Sequence, residues 1–234
     1  MMSVATYIER RGRLRTYFDT TAVDAWAQLT SNAPVSRIRQ TVRAGRDEMR
    51  ALLLSWLPDD MSGLALLDAG CGTGALSVIA AQRGASVTAV DIAENLVNLA
   101  RERAPRHTTR GAIEFRVGDM LDPGLGQFDH VVAMDSLIHY PTRDIVSVIE
   151  TLGRRTSRSI VFTFAPRTPT LSLMHAAGRL FPRADRAPAI EPVVEAKLRR
   201  LIEANPDLVD WRIGRTLRVA RGFYTSQAME LLRL

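Results

Sequence analysis

The spacing of apolar residues changes character twice along the chain. Over residues 8–29, Ile8, Leu14, Tyr17, Phe18, Val23, Trp26 and Leu29 recur at loose helical spacing, with a break expected around Asp19–Thr21. Pro34 and Ser36 then open a stronger helix over 36–57, with Ile38, Val42, Met49, Leu52, Leu53 and Trp56 on one stripe and Pro58 beyond its end. From Leu64 short β-branched runs alternate with helical ones. The pattern predicts strands at Leu64–Asp68, Ser86–Asp91, Ile113–Val117, His130–Met134 and Ser159–Phe164. Helices are predicted at Ala75–Gln82, Ala93–Arg103 and Thr142–Thr151. Such alternation is that of an α/β fold, a parallel sheet with helices on both faces.

After Pro166 the rhythm is lost. Residues 166–192 carry prolines at 166, 169, 182, 188 and 192, and Leu171–Leu180 between them could form a short helix. Val193–Ala204 reads as another helix. Trp211–Val219 and Gly222–Leu232 read as two final strands, antiparallel to each other. Four segments follow: a helical arm or lid (1–62), an α/β core (63–165), an insert (166–204) and closing strands (205–234).

Composition narrows the class. With 234 residues, 46% of them hydrophobic, the chain can bury one sizeable core. No apolar run approaches the roughly 18 residues of a membrane span, and the N-terminal MMSVATYIERRGRLR has no apolar signal region, so a cytoplasmic location is expected. The single cysteine, Cys71, excludes an internal disulfide and a cysteine-built metal site. The net charge of +6 is uneven: residues 63–150 hold 7 basic and 11 acidic residues, residues 151–234 hold 15 and 7. A basic final third suits an anionic substrate or surface, or is simply a solvated face.

The chemistry is concentrated at the strand ends. The first predicted strand runs into Asp68-Ala69-Gly70-Cys71-Gly72-Thr73-Gly74, whose glycines let backbone turn tightly against a ligand, and the helix that follows presents its N-terminal amides there. Asp91, ending the next strand with Ile92 beside it, can accept from ribose hydroxyls. Gly70-x-Gly72-x-x-Ala75 alone also fits a dinucleotide site, a weak fingerprint. Three further features lie at the successive strand ends. Asp68 could meet the amino-acid end of a methionine-derived ligand. Gly118-Asp119-Met120 places an acid for the adenine amine. Phe128-Asp129 enters a strand that leaves through Met134-Asp135. Singly, Asp91 could be a helix cap and Asp119 a turn residue.

This stretch resembles the S-adenosyl-L-methionine-binding core of class I methyltransferases. The resemblance implies a Rossmann-like, mostly parallel seven-stranded sheet with an N-terminal helical arm and an insert after the fifth strand. It implies cofactor contacts at Asp68, Ala69, Gly70, Cys71, Gly72, Gly74, Asp91, Ile92, Gly118, Asp119, Met120, Met134 and Asp135. The flanks are similar to a narrower family. Tyr17-Phe18-Asp19, Trp26, Val35-Ser36-Arg37-Ile38-Arg39 and Val42-Arg43-Ala44-Gly45-Arg46 resemble the arm of the magnesium-protoporphyrin IX O-methyltransferases of bacteriochlorophyll synthesis. Asp135-Ser136-Leu137-Ile138-His139-Tyr140, Phe162-Thr163-Phe164-Ala165-Pro166 and Phe223-Tyr224 resemble their later segments.

That resemblance implies methylation of a propionate carboxylate of magnesium protoporphyrin IX, with Tyr17 and His139 as active-site residues. Both are suited to orienting a carboxylate; an alternative for His139 is contact with the substrate's magnesium, although magnesium prefers oxygen ligands. Tyr17 could instead be packing and His139 a helix start. No metal site of the chain's own is expected, since His107, His130 and His175 lack ligand spacing. Arg43 or Arg46 is expected to reach the cofactor's carboxylate when the arm covers it. The insert mixes Leu171, Leu173, Met174, Leu180 and Phe181 with Arg167, Arg179, Arg183 and Arg186. That composition suits a flat apolar ring with anionic propionates and equally a membrane surface, inner or photosynthetic. The family resemblance further implies contact with the large subunit of magnesium chelatase. No nucleic-acid partner is expected, because no RNA-binding motif or Asn-Pro-Pro-Tyr signature is present. A methyltransferase acting on a quinone precursor, a non-catalytic porphyrin carrier and a dinucleotide oxidoreductase are the competing readings.

Overall fold

The computed structural model describes residues 4–21, 36–105, 110–167 and 190–234. The expected helix at Leu171–Leu180 lies outside the described residues. So do Val23, Trp26, Leu29, Pro34, Val35, His107, His175, Arg179, Arg183 and Arg186.

Helix α1 spans Val4–Thr16 and ends in a π-helical turn at Tyr17–Thr21, at the place where the sequence predicts a break. Helix α2, Arg37–Ser55, starts where the Ser36 hydroxyl accepts from the Arg39 amide. Its buried residues are Gly45, Met49, Leu53 and Leu54, whereas Ile38, read as part of the apolar stripe, is exposed. The α/β alternation then follows as β1 (Ala65–Ala69), α3 (Ala75–Gln82), β2 (Ser86–Asp91), α4 (Glu94–Arg103), β3 (Ala112–Val117), β4 (Phe128–Ala133), α5 (Thr142–Gly153) and β5 (Thr156–Phe164). Helix α6 (Glu195–Glu203) precedes the hairpin of β6 (Trp211–Arg221) and β7 (Tyr224–Arg233).

The strands form one sheet in the order β3-β2-β1-β4-β5-β7-β6. β1 to β5 pair in parallel, β7 runs antiparallel to β5, and β6 antiparallel to β7. Strands β4 and β5 begin earlier than their β-branched runs suggest, because Phe128 pairs with Thr156 ahead of a register shift. The Asp129 carboxylate holds that end by accepting from the Ala65 amide at 3.0 Å and the Ser157 hydroxyl at 3.0 Å.

Consecutive strand residues divide between two cores, as the pleat requires. Leu67, Val131, Ile160 and Phe162 join a cluster with Tyr7 and Leu14 of α1, Ile145 and Ile149 of α5, and Leu198 of α6. Leu66, Val132 and Val161 join a cluster with Met49 and Leu53 of α2, Leu76 and Ala80 of α3, and Tyr224. The sheet is therefore buried on both faces, and its open edge for ligands is the carboxyl end of β1–β4. Among the described residues, no helix is long and apolar enough to cross a membrane.

Candidate active site

The strand order changes direction between β1 and β4, and a cavity of about 300 Å³ opens beyond their carboxyl ends. The glycine loop forms its floor. Gly70, Gly72 and Gly74 all have positive φ, at 84°, 53° and 75°. The loop is pinned from below: the Gly70 and Cys71 amides both donate to the Val90 carbonyl, at 2.8 and 3.0 Å. A Cβ on Gly72 or on Gly118, which both line the cavity, would meet no protein atom within 4 Å. The floor is thus shaped as a cradle for a group that the protein does not itself supply.

Acidic side chains ring that floor. Asp68 is buried and accepts from the Ser77 hydroxyl at 2.5 Å. Burial, with the charge of Asp91 added, pushes its pKa up to about 6. Asp91 accepts from the Gly72 amide through Oδ2 and from the Ala93 amide through Oδ1, each at 2.9 Å. It thus closes the turn before α4 and clamps the glycine loop at once, and burial raises its pKa too. Asp119, after β3, is met by the arm: Tyr7 donates to Oδ1 at 2.7 Å and Arg11 pairs with Oδ2.

The opposite wall is basic. Arg43, Arg46 and Arg50 of α2 line the cavity with Asp47. Arg46 donates to Asp135 at 2.6 Å, and Arg50 to Asp47 at 2.5 Å. A ligand that carries a cationic and an anionic end would meet acids on one side and arginines on the other.

His139 closes the third side. It is buried at the end of a 3-10 turn, Leu137–His139, and lines the cavity. Arg10 holds its carbonyl at 2.6 Å and also pairs with Glu191 at 2.9 Å, while the Glu191 amide donates to the Ile138 carbonyl at 2.9 Å. The arm and the described part of the insert around Glu191 therefore set where this histidine stands. Phe18 meets the imidazole edge-on at 6.0 Å between centroids, and Tyr17 meets Phe18 edge-on at 5.2 Å. Tyr17 itself does not line the cavity. One ring separates it from His139, and burial raises its pKa.

Of the residues expected at the cofactor, Asp68, Gly70, Cys71, Gly72, Asp91, Ile92, Gly118, Asp119, Met120, Met134 and Asp135 line this cavity; Ala69 and Gly74 shape the loop behind it. The Asp135 carboxylate is engaged by Arg46, Tyr224 and Ser226. Sequence reading missed Tyr7, Arg11, Leu14, Ser136 and Tyr140, which also line the cavity. Tyr7 and Leu14, seven residues apart on one face of α1, were the available signal. A serine such as Ser136 offers none. His130 is a core residue bonded through Nδ1 to Ser159 at 2.7 Å. Among the described residues no cluster of three or more His, Cys, Asp or Glu could hold a metal ion.

Two family profiles match the chain. One, described as Magnesium-protoporphyrin IX methyltransferase C-terminus, covers residues 133–233, and the other, described as Methyltransferase domain, covers residues 66–158. The chain is 51% identical over 225 residues to the magnesium-protoporphyrin O-methyltransferase of Rhodobacter capsulatus, with 96% of this chain and 97% of that protein covered. It is 32% identical over 223 residues to the magnesium-protoporphyrin O-methyltransferase of Synechocystis sp., covering 94% and 95%. The solved magnesium protoporphyrin IX methyltransferase from Synechocystis PCC 6803 with bound SAH is similar in structure, at a TM-score of 0.80 and 31% identity, over 96% of this chain and 100% of that chain.

Proposed function

The chain belongs to the magnesium-protoporphyrin O-methyltransferase family, and from that membership we propose that it esterifies a propionate carboxylate of magnesium protoporphyrin IX using S-adenosyl-L-methionine, a step of bacteriochlorophyll biosynthesis. The observation that carries the reading is the single cavity in which the glycine loop, Asp91 and Asp119 face the arginines of α2, with His139 on the third side.

The residues fit the cofactor. Asp91 would take the ribose hydroxyls through the remaining lone pairs of its two oxygens, Asp119 and Met120 would border the adenine, and Asp68 would face the ammonium of the amino-acid end. When bound, S-adenosyl-L-methionine supplies an electrophilic methyl carbon.

A propionate, with a pKa of about 4.5, is already ionised at neutral pH, so no strong general base is required. What the protein supplies is alignment and a dry wall. His139, buried and held from its backbone by Arg10, is suited to fix the orientation of the incoming carboxylate through its ring. Tyr17, to which the family resemblance gives a role at the same carboxylate, packs one ring behind Phe18 and would act through it. Charge balance is simple: the carboxylate loses its negative charge, the sulfonium its positive charge, and no proton moves.

Contact with the large subunit of magnesium chelatase and association with a membrane surface complete the proposal. They rest on the family and on the apolar, basic composition of residues 166–192.

The test is transfer of a labelled methyl group from S-adenosyl-L-methionine to magnesium protoporphyrin IX, beside metal-free protoporphyrin and a quinone precursor. Labelled monomethyl ester from the magnesium porphyrin is the expected product. Label on the quinone precursor alone would overturn the proposed acceptor and leave methyl transfer standing.

A further inference from the structure

Asp135, directly after β4, has φ of 54°, the one positive value found at a non-glycine residue among those described. Such a backbone is costly for a residue with a Cβ and persists where the surroundings over-determine it. Here they do. The Asp135 amide donates to the Thr163 hydroxyl at 2.7 Å, and that hydroxyl lies 3.2 Å from Oδ1. Ser226 donates to Oδ1 at 3.2 Å, and the Tyr224 phenol lies 3.0 and 3.1 Å from the two oxygens. Arg46 donates to Oδ2 at 2.6 Å. Two strands, β5 and β7, and one helix, α2, thus converge on one carboxylate whose side chain is 5% exposed.

The left-handed turn has a second effect. It sends the Asp135 carboxylate toward β5, β7 and α2, and sets Ser136 against the glycine loop. A Cβ on Gly70 would lie 2.4 Å from the Ser136 Cβ. Ser136 lines the cavity, and its hydroxyl is buried with no hydrogen-bond partner in the protein. A buried hydroxyl in that state is costly unless something else completes it.

Arg46 is seated at both ends. Its neighbour Gly45 packs on the Tyr224 ring so closely that a Cβ there would come within 2.5 Å of Cδ1. Its guanidinium, a planar fork of five N–H donors, is oriented by the Asp135 contact.

We propose that Asp135, seated by Tyr224, is a positioning residue that aims Arg46 at the carboxylate of the cofactor's amino-acid end, with the Ser136 hydroxyl as a second donor to that carboxylate. The polarity of the cavity supports this assignment: Asp68, at the end of β1, is placed for the ammonium, Asp91 and Asp119 for the nucleoside, and Arg46 and Ser136 meet the cavity at the end of β4. The inference rests on the reading that S-adenosyl-L-methionine occupies the cavity.

The test is calorimetric binding to the full chain of S-adenosylhomocysteine and of its decarboxylated analogue, which differ only in the carboxylate. A charged hydrogen bond is worth enough that the wild type should prefer S-adenosylhomocysteine by about ten-fold or more. Arg46→Ala should bring that preference close to one, and Asp135→Asn and Ser136→Ala should each reduce it several-fold. In all three, affinity for the decarboxylated analogue should hold within about two-fold. Arg46→Lys should restore part of the preference. Tyr224→Phe, which keeps the ring that packs on Gly45, should reduce it without loss of fold. Equal binding of both ligands by the wild type would overturn the proposal outright. So would an equal loss for both ligands in Asp135→Asn and Ser136→Ala, which is what a merely structural role would give. A wild type that binds neither ligand would remove the cofactor reading itself.

Discussion

The phenol of Tyr7 donates to Asp119 Oδ1 at 2.7 Å, so the first helix is bonded to the turn after β3 across 112 residues of chain. The same Oδ1 accepts from the Leu121 amide at 2.9 Å, and Arg11 pairs with Oδ2. Tyr7 also stacks on Tyr140, with centroids 5.7 Å apart and planes at 26°. One residue of the arm therefore touches both the acid expected to border adenine and the segment that carries His139. Tyr7→Phe keeps the stack and removes the bond to a charged acceptor. Because Leu121 and Arg11 still serve the carboxylate, the expected cost is about 1–2 kcal/mol. Urea unfolding at constant m-value measures it; an unchanged midpoint would show that the bond adds nothing.

Asp68 illustrates a site held at the expense of stability. Its folded pKa of about 6 lies above the ordinary carboxylate value, so above pH 6 the folded protein carries a charge that the unfolded chain accommodates better. The sign is therefore unfavourable at neutral pH. Stability from this group declines as pH rises from about 4 to about 6 and stays lowered by roughly 3 kcal/mol beyond. Asp68→Asn, which can still accept from Ser77, should raise the unfolding free energy of the ligand-free protein at pH 7.5 by about 2–3 kcal/mol and make no difference below about pH 4. It should also weaken S-adenosylhomocysteine binding. A variant less stable than wild type at pH 7.5 would contradict the account.

Cys71 sits in the glycine loop, and burial together with the charges of Asp68 and Asp91 pushes its thiol well above the ordinary range. Thiolate is the reactive form, so alkylation by iodoacetamide at pH 8 should be at least about ten-fold slower in the folded protein than in urea. Because Cys71 lines the cavity, S-adenosylhomocysteine should slow it further. Fast labelling of the folded protein, unaffected by ligand, would mean that the loop is open and the thiol solvated.

The strand ends were legible in the sequence because each is written locally. An apolar run stops at Asp68, at Asp91, at Val117 before Gly118-Asp119, and at Ala133 before Met134-Asp135, and the parallel topology then brings those four ends to one edge. Helix α3 was read to the residue because Gly74 and Gly84 bracket it. Other parts were written in pairs far apart in sequence. Asp135 reads as one more acid at a strand end, and nothing local ties it to Arg46, Thr163, Tyr224 and Ser226. Tyr17 and His139 are both expected at the substrate carboxylate, yet Phe18 stands between them, since one step along a tight helical turn decides which ring faces the cavity. Ile38 fits the helical stripe of α2, but the buried residues of that helix begin only at Gly45, and Ile38 in its first turn is exposed.

Helix α2 meets the last strand where Gly45 faces Tyr224, and here two opposing effects can be weighed. In an exposed helix, glycine to alanine is worth about 1 kcal/mol in favour of alanine. At Gly45 the added Cβ would lie 2.5 Å from Tyr224 Cδ1 and 2.8 Å from Cβ and Cγ, against a ring that is itself buried. Overpacking of this kind costs about 1–3 kcal/mol and requires the helix or the ring to shift. Gly45→Ala should therefore be net destabilising by roughly 1–2 kcal/mol. Any shift displaces Arg46 from Asp135, so S-adenosylhomocysteine affinity should fall as well. In a Tyr224→Ala background the obstruction is gone and the helix term remains, so the same substitution should become stabilising by up to about 1 kcal/mol. That reversal of sign in a double-mutant cycle is the measurement to make. If Gly45→Ala is destabilising by the same amount in both backgrounds, the close approach of α2 to Tyr224 is not what requires a glycine there.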